Sequence, residues 1–416
     1  MRCSDRAELH RRQRERLRAL FDAIIPANRF YAAKFRGCDL DRFEELPFTT
    51  KAELIADQAA SPPYGTILTY NLDRYTRLHQ TSGTTTGQPL RWLDTPESWN
   101  WMLDCWRQKY AIMGATRHDR FCFAFSYGPF IGFWTGHEAA LSLGAFALTV
   151  GGLSSVARLR AIVDLGITIV GCTPTYALHL AETARREGID LAGSAVRIVI
   201  VAGEPGGSIP ATRAAIEAGW GARVIDHCGM TETGPLGVEC LPNPSGMHLL
   251  ESELIAEVID PQSGTPTPPG ETGELVITNL GRTGSPLIRY RTGDVVRMDP
   301  KPCPCGRPEA RLAGGILGRT DDMIHIRGNN VYPSAIEGVL RGLPDVAEFR
   351  VEVDRSRPMP ELEIVVEPIA DADHSSLAER VVHAIRDSLH LRAQVTIAPP
   401  RSLPRFEMKA KRFRHR

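Results

Sequence analysis

ITIVGC at residues 167–172 and VRIVIV at residues 196–201 are almost unbroken apolar runs, and together they decide the fold class. Strands of a parallel sheet have this composition because helices cover both faces of the sheet. Residues 176–186, between the two runs, carry apolar side chains at helical spacing. The order strand, helix, strand therefore predicts an α/β fold with a parallel sheet covered by helices.

Two smaller units are predicted downstream of this sheet. Short alternating strands at residues 254–259 and 274–277, separated by turn-rich sequence, indicate a small antiparallel β unit. Beyond it, two helical and two strand patterns form a compact α+β unit of about one hundred residues. We therefore expect an N-terminal domain over residues 1–317 and a C-terminal domain over residues 318–416.

Composition limits the class of partner. Lysine plus arginine and aspartate plus glutamate both number 49, so no global charge attracts the chain to nucleic acid or an anionic membrane. No apolar run approaches the ~20 residues of a membrane span. The charged N-terminus lacks the apolar stretch of a signal peptide, and the nine cysteines are mostly scattered. These features predict a cytoplasmic protein with free thiols.

The loop TSGTTTGQP at residues 81–89 is the first candidate site. Its glycines allow the backbone to approach a ligand closely, and its backbone N–H groups and threonine hydroxyls can surround phosphate oxygens. It is not a P-loop, because no Gly-Lys-Ser/Thr sequence follows. Taken alone, a Ser/Thr/Gly stretch of this kind is more often a flexible loop than a phosphate-binding one.

Four further motifs carry residues suited to nucleotide chemistry. A carboxylate can hold Mg²⁺ or the two hydroxyls of a ribose, and a lysine on a terminal segment can reach a phosphoryl oxygen. Singly, each motif is also explained by a surface turn, an exposed ion pair, a linker or a solvated tail. The motifs are DHCGMTETG (226–234), RYRTGD (289–294), GRTDDMI (318–324) and RFEMKAK (405–411).

In this order and at these intervals, the motifs resemble the acyl-adenylate-forming superfamily, which includes acyl-CoA synthetases, luciferases and peptide-synthetase adenylation domains. Within it the chain is most similar to the phenylacetate–CoA ligases. The resemblance covers nearly the whole chain, through NRFY (28–31), LPFTTK (46–51), GCTPTY (171–176), AGEP (202–205), PLIRYRTGD (286–294), GNNVYP (328–333) and Lys409.

The resemblance implies how a nucleotide is bound. The β- and γ-phosphates would be contacted by Thr81, Ser82, Gly83, Thr84, Thr85, Thr86 and Gly87. The adenine would be bordered by Gly203, Glu204 and Pro205. The adenine and the α-phosphate would be contacted by Asp226, His227, Cys228, Gly229 and Met230. Asp294 would bind the ribose hydroxyls with Arg319 close by. Glu232 would hold Mg²⁺, and Thr231 would contact a phosphate.

The resemblance also implies a mobile C-terminal domain. Asp321 would be the hinge of that domain, and Lys409 would stabilise charge in the adenylation transition state. A carboxylate attacks the α-phosphorus of ATP, pyrophosphate leaves, and a thiol then displaces AMP from the acyl-adenylate. Because the lysine is needed only for the first step, a rotating domain can remove it and admit the thiol.

An aromatic segment resembles the lining of the acid pocket in this family. Aromatic rings beside glycines can form a flat slot for an aryl or arylalkyl acid, although the same residues can equally be core. The candidate pocket residues are Tyr127, Phe130, Gly132, Phe133 and Trp134.

Four residues form a candidate structural zinc site. Cys240 and His248 precede the antiparallel unit, and Cys303 and Cys305 follow it, so the fold can bring the two pairs together as a Cys₃His set. Phenylacetate–CoA ligases look similar at these positions. The alternative interpretation is buried thiols with a surface histidine.

Three functions stay open at this point. The first is an acid–CoA ligase that requires ATP and Mg²⁺ and, by resemblance, forms a homodimer. The second transfers the adenylate to a carrier-protein thiol or an amine. The third is a non-catalytic nucleotide-binding protein, which the joint presence of Glu232, Asp294 and Lys409 disfavours. Cys228 replaces the usual tyrosine, and Met408 replaces the glycine before the lysine.

Overall fold

The computed structural model describes residues 3–81, 89–326, 329–354, 361–369, 376–406 and 410–415. Within these ranges the α-helices are α1 (Arg6–Ile24), α2 (Arg29–Lys34), α3 (Lys51–Ala60), α4 (Pro96–Ile112), α5 (Trp134–Ser142), α6 (Ser155–Asp164), α7 (Pro174–Arg186), α8 (Pro210–Trp220), α9 (Pro333–Arg341) and α10 (Leu377–Leu389).

The strands of the N-terminal part are β1 (Arg77–Gln80), β2 (Arg91–Asp94), β3 (Arg120–Phe123), β4 (Phe146–Thr149), β5 (Ile169–Cys172), β6 (Ile198–Val201), β7 (Arg223–Met230), β8 (Gly234–Cys240), β9 (Asn243–Leu249), β10 (Leu254–Ile259), β11 (Thr272–Asn279), β12 (Tyr290–Arg297), β13 (Arg311–Ala313) and β14 (Gly318–Arg319). Those that follow are β15 (Ile324–Ile326), β16 (Asn329–Val331), β17 (Val346–Asp354), β18 (Glu361–Pro368), β19 (Ala393–Ile397) and β20 (Phe413–His415).

The largest sheet has the strand order β13-β9-β8-β7-β6-β5-β3-β4. Strands β3 to β7 pair in parallel, which confirms the predicted α/β class, but β8, β9 and β13 extend the sheet in antiparallel fashion. The sheet is therefore mixed. The short turn after β7 sends β8 back alongside it, as a hairpin connection requires.

The apolar runs that predicted this sheet are buried on both of its faces. In β6, Ile198 and Ile200 belong to a core with α4 and α5, whereas Val199 and Val201 belong to a second core with α6, α7 and α8. Successive side chains of a strand point to opposite faces. An unbroken apolar run is consequently the sequence signature of a strand between two helical layers.

A four-stranded antiparallel sheet, β10-β11-β12-β14, follows the mixed sheet. Its last strand, Gly318–Arg319, pairs with β12, and Asp294 lies opposite Arg319 in that pairing. The C-terminal sheet has the order β19-β18-β17-β20 and forms its own core with α9 and α10. The predicted division at residue 318 stays a prediction. No helix in the described ranges is both long and apolar enough to cross a bilayer.

A fully buried ion pair connects β2 to the turn after β7. The Nε and Nη2 atoms of Arg282 donate to the two carboxylate oxygens of Asp94 at 2.7 and 2.6 Å, and both side chains are 0% exposed. Arg282 Nη1 also donates to the carbonyl oxygens of Thr231 and Glu232, at 2.8 and 2.7 Å. One guanidinium group thus fixes the distance between two segments that carry candidate site residues.

Arg282→Met is expected to lower the free energy of unfolding by about 3–5 kcal/mol, because it leaves the Asp94 carboxylate buried without a counter-charge. Urea denaturation measures the change. The control is Arg186→Met, which removes an exposed guanidinium paired only with Glu187 and should change stability by less than ~0.5 kcal/mol. Equal stabilities of the two variants would contradict the role given to Arg282.

Candidate active site

The carboxyl ends of β5, β6 and β7 meet at one edge of the mixed sheet. Thr173 follows β5 and caps α7 by accepting from the Tyr176 N–H. Gly203, with φ of +91°, begins the bend after β6 that also contains Glu204 and Pro205. Ligands of open α/β sheets bind at this edge.

The segment of residues 226–230 lies on a strand rather than in a loop. The sequence placed it directly after an apolar strand, but β7 continues to Met230, because β8 pairs with its last residues. The turn comes only at residues 231–233. Asp226 and Cys228 therefore face one side of the sheet and His227 the other.

Asp226 is buried and faces the turn after β6. Its Oδ2 accepts a hydrogen bond from Ser208 Oγ at 2.7 Å, and a side chain at Gly207 would begin only 2.4 Å from its carboxyl carbon. Burial raises the pKa of Asp226 to about 7, despite the opposing hydrogen bond from Ser208. Glycine at position 207 is therefore required by the close approach of the carboxyl group.

Glu232 forms an ion pair with a lysine side chain. Lys51 Nζ, at the start of α3, lies 3.2 Å from Glu232 Oε1, and the Glu232 side chain is 7% exposed. Burial and then the neighbouring Glu232 carboxylate raise the pKa of Tyr290 above its usual range. Glu232 thus provides a buried carboxylate that already binds positive charge, which is the property that a Mg²⁺ ligand needs.

Asp294, Arg319 and Asp321 form one charged group. Arg319 Nη1 donates to Asp294 Oδ1 at 3.0 Å, and Arg319 Nε donates to Asp321 Oδ1 at 2.9 Å. Burial lowers the pKa of Arg319, but the two carboxylates outweigh it and raise the pKa overall. Arg319 therefore connects Asp321, the residue expected at the hinge, to Asp294, the residue expected at the ribose.

The antiparallel strands β1 and β2 lie on either side of the candidate phosphate loop in the sequence. Thr81 N–H donates to the Leu90 carbonyl at 3.0 Å, and Leu90 N–H donates to Thr81 Oγ1 at 3.0 Å. The other predicted residues of the loop, and the predicted catalytic lysine, lie outside the described residues; they are Ser82, Gly83, Thr84, Thr85, Thr86, Gly87 and Lys409.

Four of the five candidate pocket residues contact one another or share a neighbour, Phe125. The Phe125 ring lies 5.4 Å from the rings of Tyr127 and Phe130 and 5.5 Å from that of Phe133, and Tyr127 lies 4.6 Å from Trp134. A side chain at Gly132 would begin 2.1 Å from the Phe125 ring. Sequence reasoning missed Phe125, although it lies just before the predicted segment.

A buried lysine and histidine adjoin this aromatic cluster, and sequence reasoning also missed their pairing. Lys109 Nζ donates to the Cys228 carbonyl at 3.0 Å and lies 3.4 Å from His227 Nδ1. Burial lowers the pKa of Lys109 to about 8. The spacing along α4 could have predicted that Lys109 is buried, because it lies four residues after Cys105 and three after Trp106, which face the core. The His227 ring lies 5.5 Å from that of Phe133.

The predicted zinc ligands come together away from this edge. One ligand atom from each of Cys240, His248, Cys303 and Cys305 lies within 4.8 Å of all the others. The sulfur atoms of Cys240 and Cys303 are 3.7 Å apart, close to the ~3.8 Å expected for two thiolates on tetrahedral zinc. His248 Nδ1 lies 3.1 Å from the Glu309 carbonyl, the usual second partner of a ligating histidine.

Comparison with known proteins identifies the family. The model of the AMP-binding enzyme family matches residues 77–282, and that of the AMP-binding enzyme C-terminal domain matches residues 328–416. The phenylacetate-coenzyme A ligase of Thermus thermophilus is 32% identical to the chain over 433 residues, which is 97% of this chain and 95% of that protein. The chain belongs to the phenylacetate–CoA ligase family. It is an AMP-forming acid–thiol ligase.

Other members of the phenylacetate–CoA ligase family support this assignment. The phenylacetate-coenzyme A ligase of Escherichia coli (strain K12) is 30% identical, over 97% of this chain and 94% of that protein. Among solved structures, 2-hydroxyisobutyryl-CoA ligase in the postadenylation state with 2-HIB-AMP gives a TM-score of 0.94 at 29% identity, covering 99% of this chain and 90% of that one.

The same ligase in the thioesterification state with 2-HIB-AMP and CoA gives a TM-score of only 0.74, at 30% identity and equal coverage. Because the coverage is the same, the two scores differ through the arrangement of parts within the molecule. The arrangement of the present chain is therefore more similar to that of the first of these two structures than to that of the second.

Asp226→Asn is expected to remove one pH-dependent component of stability. The folded pKa of Asp226 is raised from 3.8 to about 7, so the folded state binds more protons than the unfolded state between those values. Wild-type stability should therefore fall, relative to the variant, as the pH rises from about 4 to 7, and the difference should then level off. Urea denaturation at pH 5, 6, 7 and 8 measures this. A difference independent of pH would contradict the raised pKa.

Proposed function

We propose that this ligase activates an aryl or arylalkyl carboxylic acid with ATP and transfers the acyl group to the thiol of CoA. The observation that carries the proposal is the aromatic cluster around Phe125, which adjoins β7 through the contact between Phe133 and His227. An apolar aromatic cluster beside the residues expected at the adenylate suits a flat, apolar acid.

The nucleotide is bound at the edge where β5, β6 and β7 end. The bend at residues 203–205 borders the adenine, Asp294 accepts hydrogen bonds from the ribose hydroxyls, and the loop at residues 81–87 contacts the phosphates. The ion pair between Asp294 and Arg319 supports this role, since it orients the carboxylate. The expected homodimer and cytoplasmic location belong to the same proposal.

Glu232 binds Mg²⁺ beside Thr231, and the metal when bound neutralises charge on the phosphate oxygens. The position that Lys51 Nζ takes next to Glu232 supports this role, because it is a cationic position in the structure. Lys409 adds a second positive charge during adenylation only. Asp321 acts as the hinge on which the C-terminal part, residues 318–416, turns away before thioester formation.

Zinc at Cys240, His248, Cys303 and Cys305 is structural. Four protein ligands fill a tetrahedral site and leave no position for a substrate. The cluster joins the β8–β9 hairpin to the segment before β13, and these strands pair with each other in the mixed sheet. The metal therefore stabilises the outer edge of that sheet.

The proposed activity predicts ATP–pyrophosphate exchange that depends on an added aryl or arylalkyl acid. A panel should include phenylacetate, benzoate and short aliphatic acids. Acyl-CoA detected by mass after CoA is added identifies the acceptor. Exchange without acyl-CoA would redirect the proposal to a carrier protein or an amine, and no exchange with any acid would overturn it.

Lys409→Ala is expected to lower the rate of pyrophosphate exchange by about 10²–10³-fold, because one charge in the transition state is lost. Thioester formation from supplied acyl-AMP should persist. Lys411→Ala is the matched control, since that side chain is exposed and two residues away. Equal loss of both half-reactions would rule out the role assigned to Lys409.

The zinc assignment predicts about one zinc ion per chain in protein purified without added metal. Elemental analysis measures the content, and Cys303→Ser should reduce it to about zero and lower the thermal unfolding temperature. Cys38→Ser removes an exposed free thiol and serves as the control. Wild-type protein without zinc would contradict the assignment.

A further inference from the structure

The carboxylate of Glu204 joins two distant parts of the backbone. Its Oε1 accepts from the N–H of Thr175 at 2.9 Å, and its Oε2 accepts from the N–H of Ala410 at 2.8 Å. Thr175 lies in the first turn of α7, whereas Ala410 directly follows Lys409. Both contacts are charge-assisted hydrogen bonds, which are about twice as strong as neutral ones.

Arg412 makes a second contact between the same two parts. Its Nη1 donates to Thr175 Oγ1 at 3.1 Å, while its Nε and Nη2 donate to the two oxygens of Glu348 at 2.7 and 3.0 Å. Glu348 lies on β17, and the Val351 N–H on the same strand donates to the Arg412 carbonyl at 2.8 Å. Arg412 is therefore bound to the C-terminal sheet and reaches α7 from there.

Charges of both signs lie near the Glu204 carboxylate, which interacts electrostatically with Arg412, Arg341 and the Glu337 carboxylate. Burial lowers the pKa of Arg412, but the carboxylates of Glu348, Glu337 and Glu204 raise it overall. Arg412 is 4% exposed at this point, so water screens the attraction poorly. Both the negative charge of Glu204 and its two acceptor oxygens therefore contribute to the contact between α7 and the segment at residues 410–412.

We propose that Glu204 is a positioning residue that holds the segment after Lys409 against α7 during the adenylation half-reaction. The inference rests on the proposed function. The Ala410 N–H belongs to the same rigid peptide unit as the Cα atom of Lys409, so fixing one restricts the other. A charge that acts on a transition state must be placed to within about 0.5 Å, and a long lysine side chain does not achieve this by itself.

Glu204 acts in only one of the two arrangements of the family. The arrangement of the structure is more similar to that of the ligase in the postadenylation state, with a TM-score of 0.94, than to that of the ligase in the thioesterification state, with 0.74. When the C-terminal part turns about Asp321, Ala410 and Arg412 move with it and leave α7. A contact made in one state alone shifts the population toward that state. Glu204 therefore favours adenylation without contributing to thioester formation.

The test measures the two half-reactions separately in Glu204→Gln and Glu204→Ala. Glutamine offers one acceptor oxygen and no charge, so the turnover number for adenylation should fall about tenfold; alanine offers none, and the fall should reach about 10²-fold. The rate of thioester formation from supplied acyl-AMP should change much less. Glu182→Gln is the control, because Glu182 also lies on α7 but forms a longer, partly exposed ion pair with Arg405, in which Oε2 lies 3.8 Å from Nε.

Hydrogen exchange provides a readout that does not depend on activity. A peptide covering residues 410–415 should exchange faster in Glu204→Ala than in wild type or Glu182→Gln, at equal thermal stability. Unchanged adenylation and exchange would overturn the proposal. A raised Michaelis constant for ATP with equal loss of both half-reactions would show nucleotide binding instead and would also overturn it. Wild-type protein without acid-dependent pyrophosphate exchange would overturn the proposed function itself.

Discussion

The ion pair between Arg282 and Asp94 is the interaction on which the rest of the site depends. Asp94 ends the strand that follows the candidate phosphate loop, and the same guanidinium group binds the carbonyl oxygens of Thr231 and Glu232. Two buried opposite charges joined by two hydrogen bonds resist separation, because separating them leaves each charge in an apolar environment. The relative position of β2 and the turn that carries Glu232 follows from this contact.

The fold could be predicted from the sequence where a strand is buried on both faces. The runs at residues 167–172 and 196–201 have no polar face, so only a sheet between helices accommodates them. The extension of β7 to Met230 could not be predicted in this way. That stretch contains Asp226, Gly229 and other residues that strands disfavour, and it is held in the sheet by pairing with β8.

Individual residues of the candidate site could be predicted only where they belong to a recognisable sequence motif. The zinc set was predicted from four residues in two pairs, and the fold brings their ligand atoms within 4.8 Å. The contact between Lys109 and His227 could not be predicted, because Lys109 lies on a helix and His227 lies on a strand 118 residues later. Nor does spacing predict that the Glu204 side chain reaches Ala410, because that contact exists only once the C-terminal sheet has packed on α7.

The ammonium group of Lys51 already neutralises the Glu232 carboxylate, so binding of the proposed Mg²⁺ there would be an exchange of cations. Lys51 gives the buried Glu232 carboxylate a compensating charge in the free protein. The proposed divalent ion would displace this ammonium group, whose side chain is 34% exposed and can turn toward solvent. The affinity for the ion would then be the difference between two electrostatic energies, and so lower than that of a bare carboxylate.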